Sequence, residues 1–134
     1  MPIPKLGNVK YEVKRSSAGL GLFAVEPIKR GAWIIEYTGV VVRGKAVNEV
    51  GGKYLFETSR YRMIDGKAHS NTARYINHSC KPNCEPEIFH GRVFIRATKR
   101  IEAGEELTYD YGKEYTNEYI KPYGCRCIPC KSKG

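Results

Sequence analysis

Arg74-Tyr75-Ile76-Asn77-His78-Ser79-Cys80-Lys81-Pro82-Asn83-Cys84 crowds polar, aromatic and sulfur side chains beside a proline turn. A second dense stretch, Gly104-Glu105-Glu106-Leu107-Thr108-Tyr109-Asp110-Tyr111-Gly112, follows shortly downstream. Between them Arg92-Val93-Phe94-Ile95-Arg96 alternates as a half-buried strand does. Upstream, Tyr54 to Asp65 reads as a hairpin of two β-type runs around Thr58-Ser59-Arg60. Trp33-Ile34-Ile35-Glu36-Tyr37 and Val40-Val41-Val42 are β-rich and flank Gly39, and residues 44–52 suggest one helical turn. Leu22 to Val25 is a short apolar run stopped by Pro27, Ser16 to Gly21 is turn-rich, and residues 9–14 alternate as a strand. No segment carries a long amphipathic helical pattern. The fold is therefore expected to be mostly β, with many short strands and long loops. Ile28-Lys29-Arg30-Gly31 and Ile101-Glu102-Ala103-Gly104 echo one another weakly, each a glycine turn feeding a strand.

The chain of 134 residues has the length of one ordinary domain. Such a chain buries roughly 65–70% of its unfolded surface and needs no covalent staples to have a core. Its 41% hydrophobic fraction argues against global disorder. No apolar run approaches the ~18 residues that span a bilayer, so no membrane partner is expected. Met1-Pro2-Ile3-Pro4-Lys5 has no apolar h-region, which predicts an intracellular, thiol-reducing setting. The formal net charge of +9 favours anionic partners such as nucleic acid or nucleosomes. The basic residues are scattered, however, in short clusters such as Lys29-Arg30 and Lys99-Arg100, and a merely solvated basic surface fits as well.

Gly19-Leu20-Gly21-Leu22-Phe23-Ala24 matches a G-x-G-x-x-A pattern, but a dinucleotide site is excluded. Such a loop must open a helix, and Pro27 would truncate one within a turn. A plain β-turn and a loop whose glycines let a ligand approach bare backbone both remain open. The five cysteines are odd in number, which disfavours a disulfide framework. The spacing Cys125-Arg126-Cys127-Ile128-Pro129-Cys130 suits a metal better than disulfides, while Cys84 reads as a buried small hydrophobe.

Together these segments resemble, in order and over nearly the whole chain, the signatures of the SET-domain lysine methyltransferases. The first resembles the family's R-[FY]-I-N-H-S-C-x-P-N, and the second its G-E-E-L-T-[FY]-D-Y. Gly19-Leu20-Gly21 is similar to its G-x-G motif, Trp33 to Gly39 to its I-x-E-Y-x-G strand, and Tyr54-Leu55-Phe56 with Ile64-Asp65 to its hairpin. The resemblance implies a fold of small curved β-sheets with a C-terminal pseudoknot, in which the Asn-His segment and the C-terminal segment interlock. It implies a SET domain over residues 1–112 and a post-SET zinc-binding tail over 113–134.

The resemblance further implies S-adenosylmethionine as cofactor, lying on the backbone of Ala18, Gly19, Leu20 and Leu22 and against Asn77, His78 and Tyr54. Tyr111 would be the catalytic tyrosine, its hydroxyl near the transferring methyl, and Tyr37 would line the lysine channel. Tyr109 stands where the family carries Phe or Tyr; a hydroxyl there leaves less room for successive methyl groups and points to mono- or dimethylation. Zinc would be held by Cys80, Cys125, Cys127 and Cys130, although two residues separate the last pair where the family has four. The expected protein partner is a lysine-containing peptide, a histone tail foremost. That places a eukaryotic chain in the nucleus or on chromosomes, and a bacterial one in the cytoplasm or a host. A basic zinc-containing module that binds chromatin or nucleic acid, or a SET fold without activity, is the alternative; calorimetry with S-adenosylmethionine separates the first of these from the enzyme.

Overall fold

The structure, a computed structural model, describes residues 3–17, 19–48 and 54–111. Four small sheets build it. Strands β1 (Tyr11–Ser16) and β2 (Gly19–Ala24) form an antiparallel hairpin in which Tyr11 pairs Ala24 and Ser16 pairs Gly19. Strands β3 (Trp33–Tyr37), β8 (Cys84–Phe89) and β9 (Arg92–Ala97) form a sheet in the order β3-β9-β8. Strands β4 (Val40–Arg43), β5 (Leu55–Ser59) and β6 (Arg62–Asp65) form another in the order β4-β6-β5. Two residues each of β7 (Asn77–His78) and β10 (Thr108–Tyr109) pair in parallel. The helical content among the described residues is two 3₁₀ turns, Gly44–Asn48 and Thr72–Tyr75. A mostly β fold of small sheets is thus what the chain adopts.

The core lies where these sheets meet. Leu22, Ile76, Phe94, Ile95, Ile101 and Leu107 are all almost fully buried. Burying each such side chain contributes about 1.5–3 kcal/mol relative to exposure. Trp33, Phe89 and Phe94 pack edge to face at centroid separations of 5.5–6.5 Å, which favours aromatic pairs beyond their area. Cys84 is 1% exposed and joins this core, as its sequence context suggested.

Two sequence expectations change. The expected loop at Gly19-Leu20-Gly21 is the start of β2, with Gly19 already paired to Ser16. Both glycines have a structural reason. Gly19 has φ +99°, a conformation L side chains rarely adopt, and a Cβ on Gly21 would lie 2.4 Å from Glu106 Oε2. The expected hairpin turn also moves: Thr58 and Ser59 belong to β5, with an irregular register between Glu57 and Ser59, and the chain reverses at Arg60-Tyr61. Strand β8 was not legible in the sequence because Pro86 sits inside it. It is an edge strand, the place where a missing N–H costs no ladder bond.

The segment 105–109 lies between β2 and residues 77–83. On one side Ala24 N–H donates to the Glu105 carbonyl (2.9 Å) and Leu107 N–H to the Leu22 carbonyl (2.8 Å). On the other, the buried Asn83 amide donates to the Glu106 carbonyl (2.8 Å) and accepts from Thr108 N–H (2.9 Å). Ser79 N–H donates to the Tyr109 carbonyl, extending the β7–β10 pairing. This is the interlocking expected of the Asn-His and C-terminal segments, and it sets both dense stretches of the sequence against one cleft. The division between a first unit and a tail at residue 112 falls outside the described residues.

Candidate active site

A cavity of about 60 Å³ opens beside β10, lined by Tyr37, Tyr54, Tyr109 and Tyr111 together with Phe56 and Arg74. That volume is about two water molecules' worth and far below the ~300 Å³ of small drug sites. It admits a thin chain or a small head group and not a whole nucleoside. Among the described residues no carboxylate lines it.

Each tyrosine arrives on a different element. Tyr37 ends β3, is 4% exposed, and donates its hydroxyl to the Tyr54 carbonyl at 2.7 Å. Its ring meets Phe56 at 5.6 Å. Tyr109 in β10 is 6% exposed and stacks obliquely on Tyr111 at 5.0 Å. The Tyr111 hydroxyl donates to the Ile76 carbonyl, and its ring lies 5.4 Å from His78. Arg74 stacks its guanidinium 4.4 Å over Tyr54 and 5.3 Å from Tyr75, and its Nη1 donates to His69 Nδ1 at 3.0 Å.

The buried Asn71 holds the wall behind Tyr37. Its amide accepts from Thr38 N–H (3.0 Å) and donates to the Gly66 carbonyl (3.0 Å). Gly66 leaves room for Tyr37, since a Cβ there would sit 2.4 Å from the Tyr37 ring.

Behind the cavity, Asn77 Nδ2 donates to the Leu20 carbonyl (2.9 Å) and to Glu106 Oε2 (2.8 Å). Ser16 Oγ donates to both Glu106 oxygens, at 2.8 and 2.9 Å. Asn77 is thus tied to β1 through the Glu106 carboxylate and to β2 directly at the Leu20 carbonyl. Leu20 is exposed, while the Leu22 side chain is fully buried and its carbonyl is already engaged by Leu107. Any ligand contact at Leu22 must come through main chain.

His78 is buried, and burial pushes its imidazole below the ordinary value, with Asp110 opposing more weakly. The shift favours the neutral ring. Its Nδ1 accepts Tyr111 N–H at 3.2 Å, so the ring proton sits on Nε2, which faces Cys80 Sγ at 3.6 Å.

Cys80 is exposed; Cys84 is buried, and burial pushes its thiol up to about 12, a Thr108 main-chain hydrogen bond opposing. Of the two, only Cys80 suits a metal ligand, which must be a thiolate. Among the described residues no group of three or more His, Cys, Asp or Glu could hold a metal. Cys125, Cys127 and Cys130 lie outside the described residues, as does Ala18.

The site residues read from the sequence thus converge: Tyr37, Tyr54, Tyr109 and Tyr111 on the cavity, Gly19, Leu20, Asn77 and His78 close behind it. Sequence reasoning missed Glu106, Ser16, Asn71 and Arg74. Glu106 and Arg74 stand inside the dense segments, which was a signal; Ser16 and Asn71 stand in stretches of small polar residues with none.

Comparison with known proteins agrees. The chain is 33% identical to histone-lysine N-methyltransferase 2D of Homo sapiens over 92% of its length, covering 2% of that protein. It is 37% identical to histone-lysine N-methyltransferase trr of Drosophila melanogaster over 92% of its length, covering 6% of that protein. It is also 37% identical, over 82% of its length, to the H3 lysine-4 specific histone-lysine N-methyltransferase of Yarrowia lipolytica, covering 10% of that protein. The chain thus spans a small part of each of these relatives. Residues 19–112 match the profile described as SET domain, from the first glycine of β2 to just past Tyr111, and the chain belongs to the SET domain family.

Proposed function

We propose that the chain is an S-adenosylmethionine-dependent protein-lysine N-methyltransferase whose substrate is a histone lysine. The observation that carries this reading is the tyrosine-lined cavity of about 60 Å³, with no carboxylate in its wall among the described residues. Its four tyrosines are brought together from β3, residue 54, β10 and residue 111.

The chemistry explains that composition. The nucleophile must be a neutral amine, while free lysine has a pKa near 10.4. A narrow aromatic channel desolvates the ammonium and favours the neutral form, and the Arg74 guanidinium at its wall acts in the same direction. When bound, the cofactor supplies an electrophilic methyl group on a sulfonium. Tyr37 and Tyr109 shape the channel so that the amine lone pair points along one line. Tyr111, its hydroxyl hydrogen committed to the Ile76 carbonyl, would offer its oxygen as an acceptor to the polarised methyl group of a bound cofactor. Solvent takes the proton, so the channel needs no general base. The backbone at Gly19, Leu20 and Leu22 with Ala18, and the side chains of Asn77, His78 and Tyr54, form the cofactor's seat. Asn77 is presented there by Glu106 and the Leu20 carbonyl.

Cys80 would join Cys125, Cys127 and Cys130 as the thiolates that hold a zinc ion, and residues 113–134 would be the tail that binds it. Tyr109 limits the product to mono- or dimethyl-lysine. The protein works on chromatin, a reading supported by the histone-lysine N-methyltransferase names of its relatives; no helix among the described residues is long and apolar enough to cross a membrane.

The test is transfer of labelled methyl from S-adenosylmethionine to histone H3 peptides, lysine 4 first. Tyr111→Phe should retain fold and cofactor binding and lose about 100-fold in rate. Undiminished turnover in that variant refutes the assignment of Tyr111, and no transfer to any histone peptide or nucleosome refutes the substrate.

A further inference from the structure

The two short basic clusters that looked scattered in the sequence meet in space. Ile28 and Ile101 exchange both main-chain hydrogen bonds, at 2.7 and 2.9 Å, as an isolated antiparallel bridge. Gly31 N–H donates to the Ala97 carbonyl at 2.8 Å. Residues 28–31 therefore run antiparallel against 97–101, and Lys29-Arg30 lies alongside Lys99-Arg100. All four side chains are exposed.

Like charges on facing strands destabilise a pairing, so folding alone does not favour this arrangement. The nearby acids relieve it only at Arg100, which pairs with Glu102 at 2.7 Å, whereas Glu26 pairs with Lys10 at 3.6 Å. Among the described residues Lys29, Arg30 and Lys99 have no ion-pair partner. Ile28 and Ile101 are both almost fully buried, so the bridge under the patch is rigid and the charges are held together before any partner arrives.

We propose that Lys29, Arg30 and Lys99 form a docking patch for the phosphate backbone of duplex DNA, which holds the chain on the nucleosome whose histone it methylates. The histone clause rests on the proposed function; the DNA contact does not. Neither run carries an aromatic side chain, so bases have nothing to stack on and single strands are disfavoured. Compact cations without such rings fit regularly spaced phosphates, which position a protein without reading sequence.

The full chain is titrated against a labelled 20–30 bp duplex by fluorescence anisotropy between 50 and 200 mM salt. Replacing three phosphate contacts, by Lys29→Ala, Arg30→Ala and Lys99→Ala together, should flatten the log–log salt slope by about 2.7, at ~0.9 per contact. Affinity at low salt should fall at least tenfold. The control Arg43→Ala, Lys45→Ala, Arg60→Ala loses the same charge from exposed positions on and beside the β4-β6-β5 sheet; it should change affinity less than twofold. In transfer assays the patch variant should raise KM for nucleosomes and leave KM for a free H3 peptide unchanged. Equal losses in the two triple variants overturn the patch, as does tighter binding to phosphatidylserine vesicles or to a polyglutamate peptide than to the duplex. Patch-dependent DNA binding in a chain that transfers no methyl sustains this inference and refutes the activity instead.

Discussion

Glu106 shows how one side chain can organise a site it never enters. Its carboxylate accepts from Ser16 on β1 and from Asn77 on β7, so one acceptor ties two distant segments to its own. Glu106→Gln replaces an acceptor-only group by an amide that must present a hydrogen to one of those donors. Loss of a charge-assisted bond costs about 1.5–3 kcal/mol. Apparent affinity for S-adenosylmethionine should fall at least tenfold by calorimetry, with kcat at saturating cofactor changing much less. An equal fall in kcat would mean that Glu106 touches the chemistry and does more than orient Asn77. Tyr109→Phe removes one oxygen from a 6% exposed ring beside Tyr111. The room gained should raise the final methylation state without abolishing turnover, as read by mass spectrometry of a peptide product. An unchanged product distribution would make Tyr109 a packing residue.

At the scale of elements, two glycines make contrasting predictions. A Cβ on Gly39, between β3 and β4, would lie 2.0 Å from the Asp65 carbonyl oxygen, and that backbone cannot yield without opening the β4–β6 ladder. Gly39→Ala should cost roughly 3 kcal/mol, as overpacking does at its severe end, and lower the thermal midpoint visibly. A Cβ on Gly21 meets the far end of the flexible Glu106 side chain and, at 2.9 Å, the Ser16 Cβ, which is anchored to β1. Gly21→Ala should lower the midpoint less than Gly39→Ala does, and should displace the carboxylate from Asn77 and weaken cofactor binding. Measuring both quantities on both variants checks the argument; a Gly21→Ala chain that binds cofactor normally would break the link between β2, Glu106 and Asn77.

For the molecule as a whole, the proposed zinc tail and the sheet core should come apart. Because the core cluster is built from residues 22–109, chelation should abolish most turnover while circular dichroism and the core's thermal transition persist. Metal analysis should find one zinc per chain, and active protein without zinc would remove the metal from the scheme. The same protein offers a chemical check. At pH 8 Cys84 should resist alkylation in the folded state, being buried with its thiol pushed up to about 12, while chelation should expose Cys80 to the reagent.

What was legible in the sequence was local. Alternation at Arg92 to Arg96 and the β-branched runs at Trp33 to Tyr37 and Val40 to Val42 gave strands where strands exist. The resemblance of two dense segments to SET-domain signatures marked Tyr109, Tyr111, Asn77 and His78 as a candidate site before any geometry was known. Other features depend on partners far along the chain, and only the tertiary structure decided them. Gly19 to Gly21 reads as a turn from its glycines alone. It becomes a strand because β1 supplies the ladder and Glu106 occupies the space a Cβ would need. Pro86 argues against a strand until β8 is seen to lie at a sheet edge. The echo between Ile28-Lys29-Arg30-Gly31 and Ile101-Glu102-Ala103-Gly104 looked like a faint repeat; in the structure the two segments pair with each other through Ile28 and Ile101. Periodicity records which side of a strand is buried, because that is set by neighbours two residues away. It carries no record of which distant segment does the burying, and the site, the Glu106 network and the basic patch are all made by such distant segments.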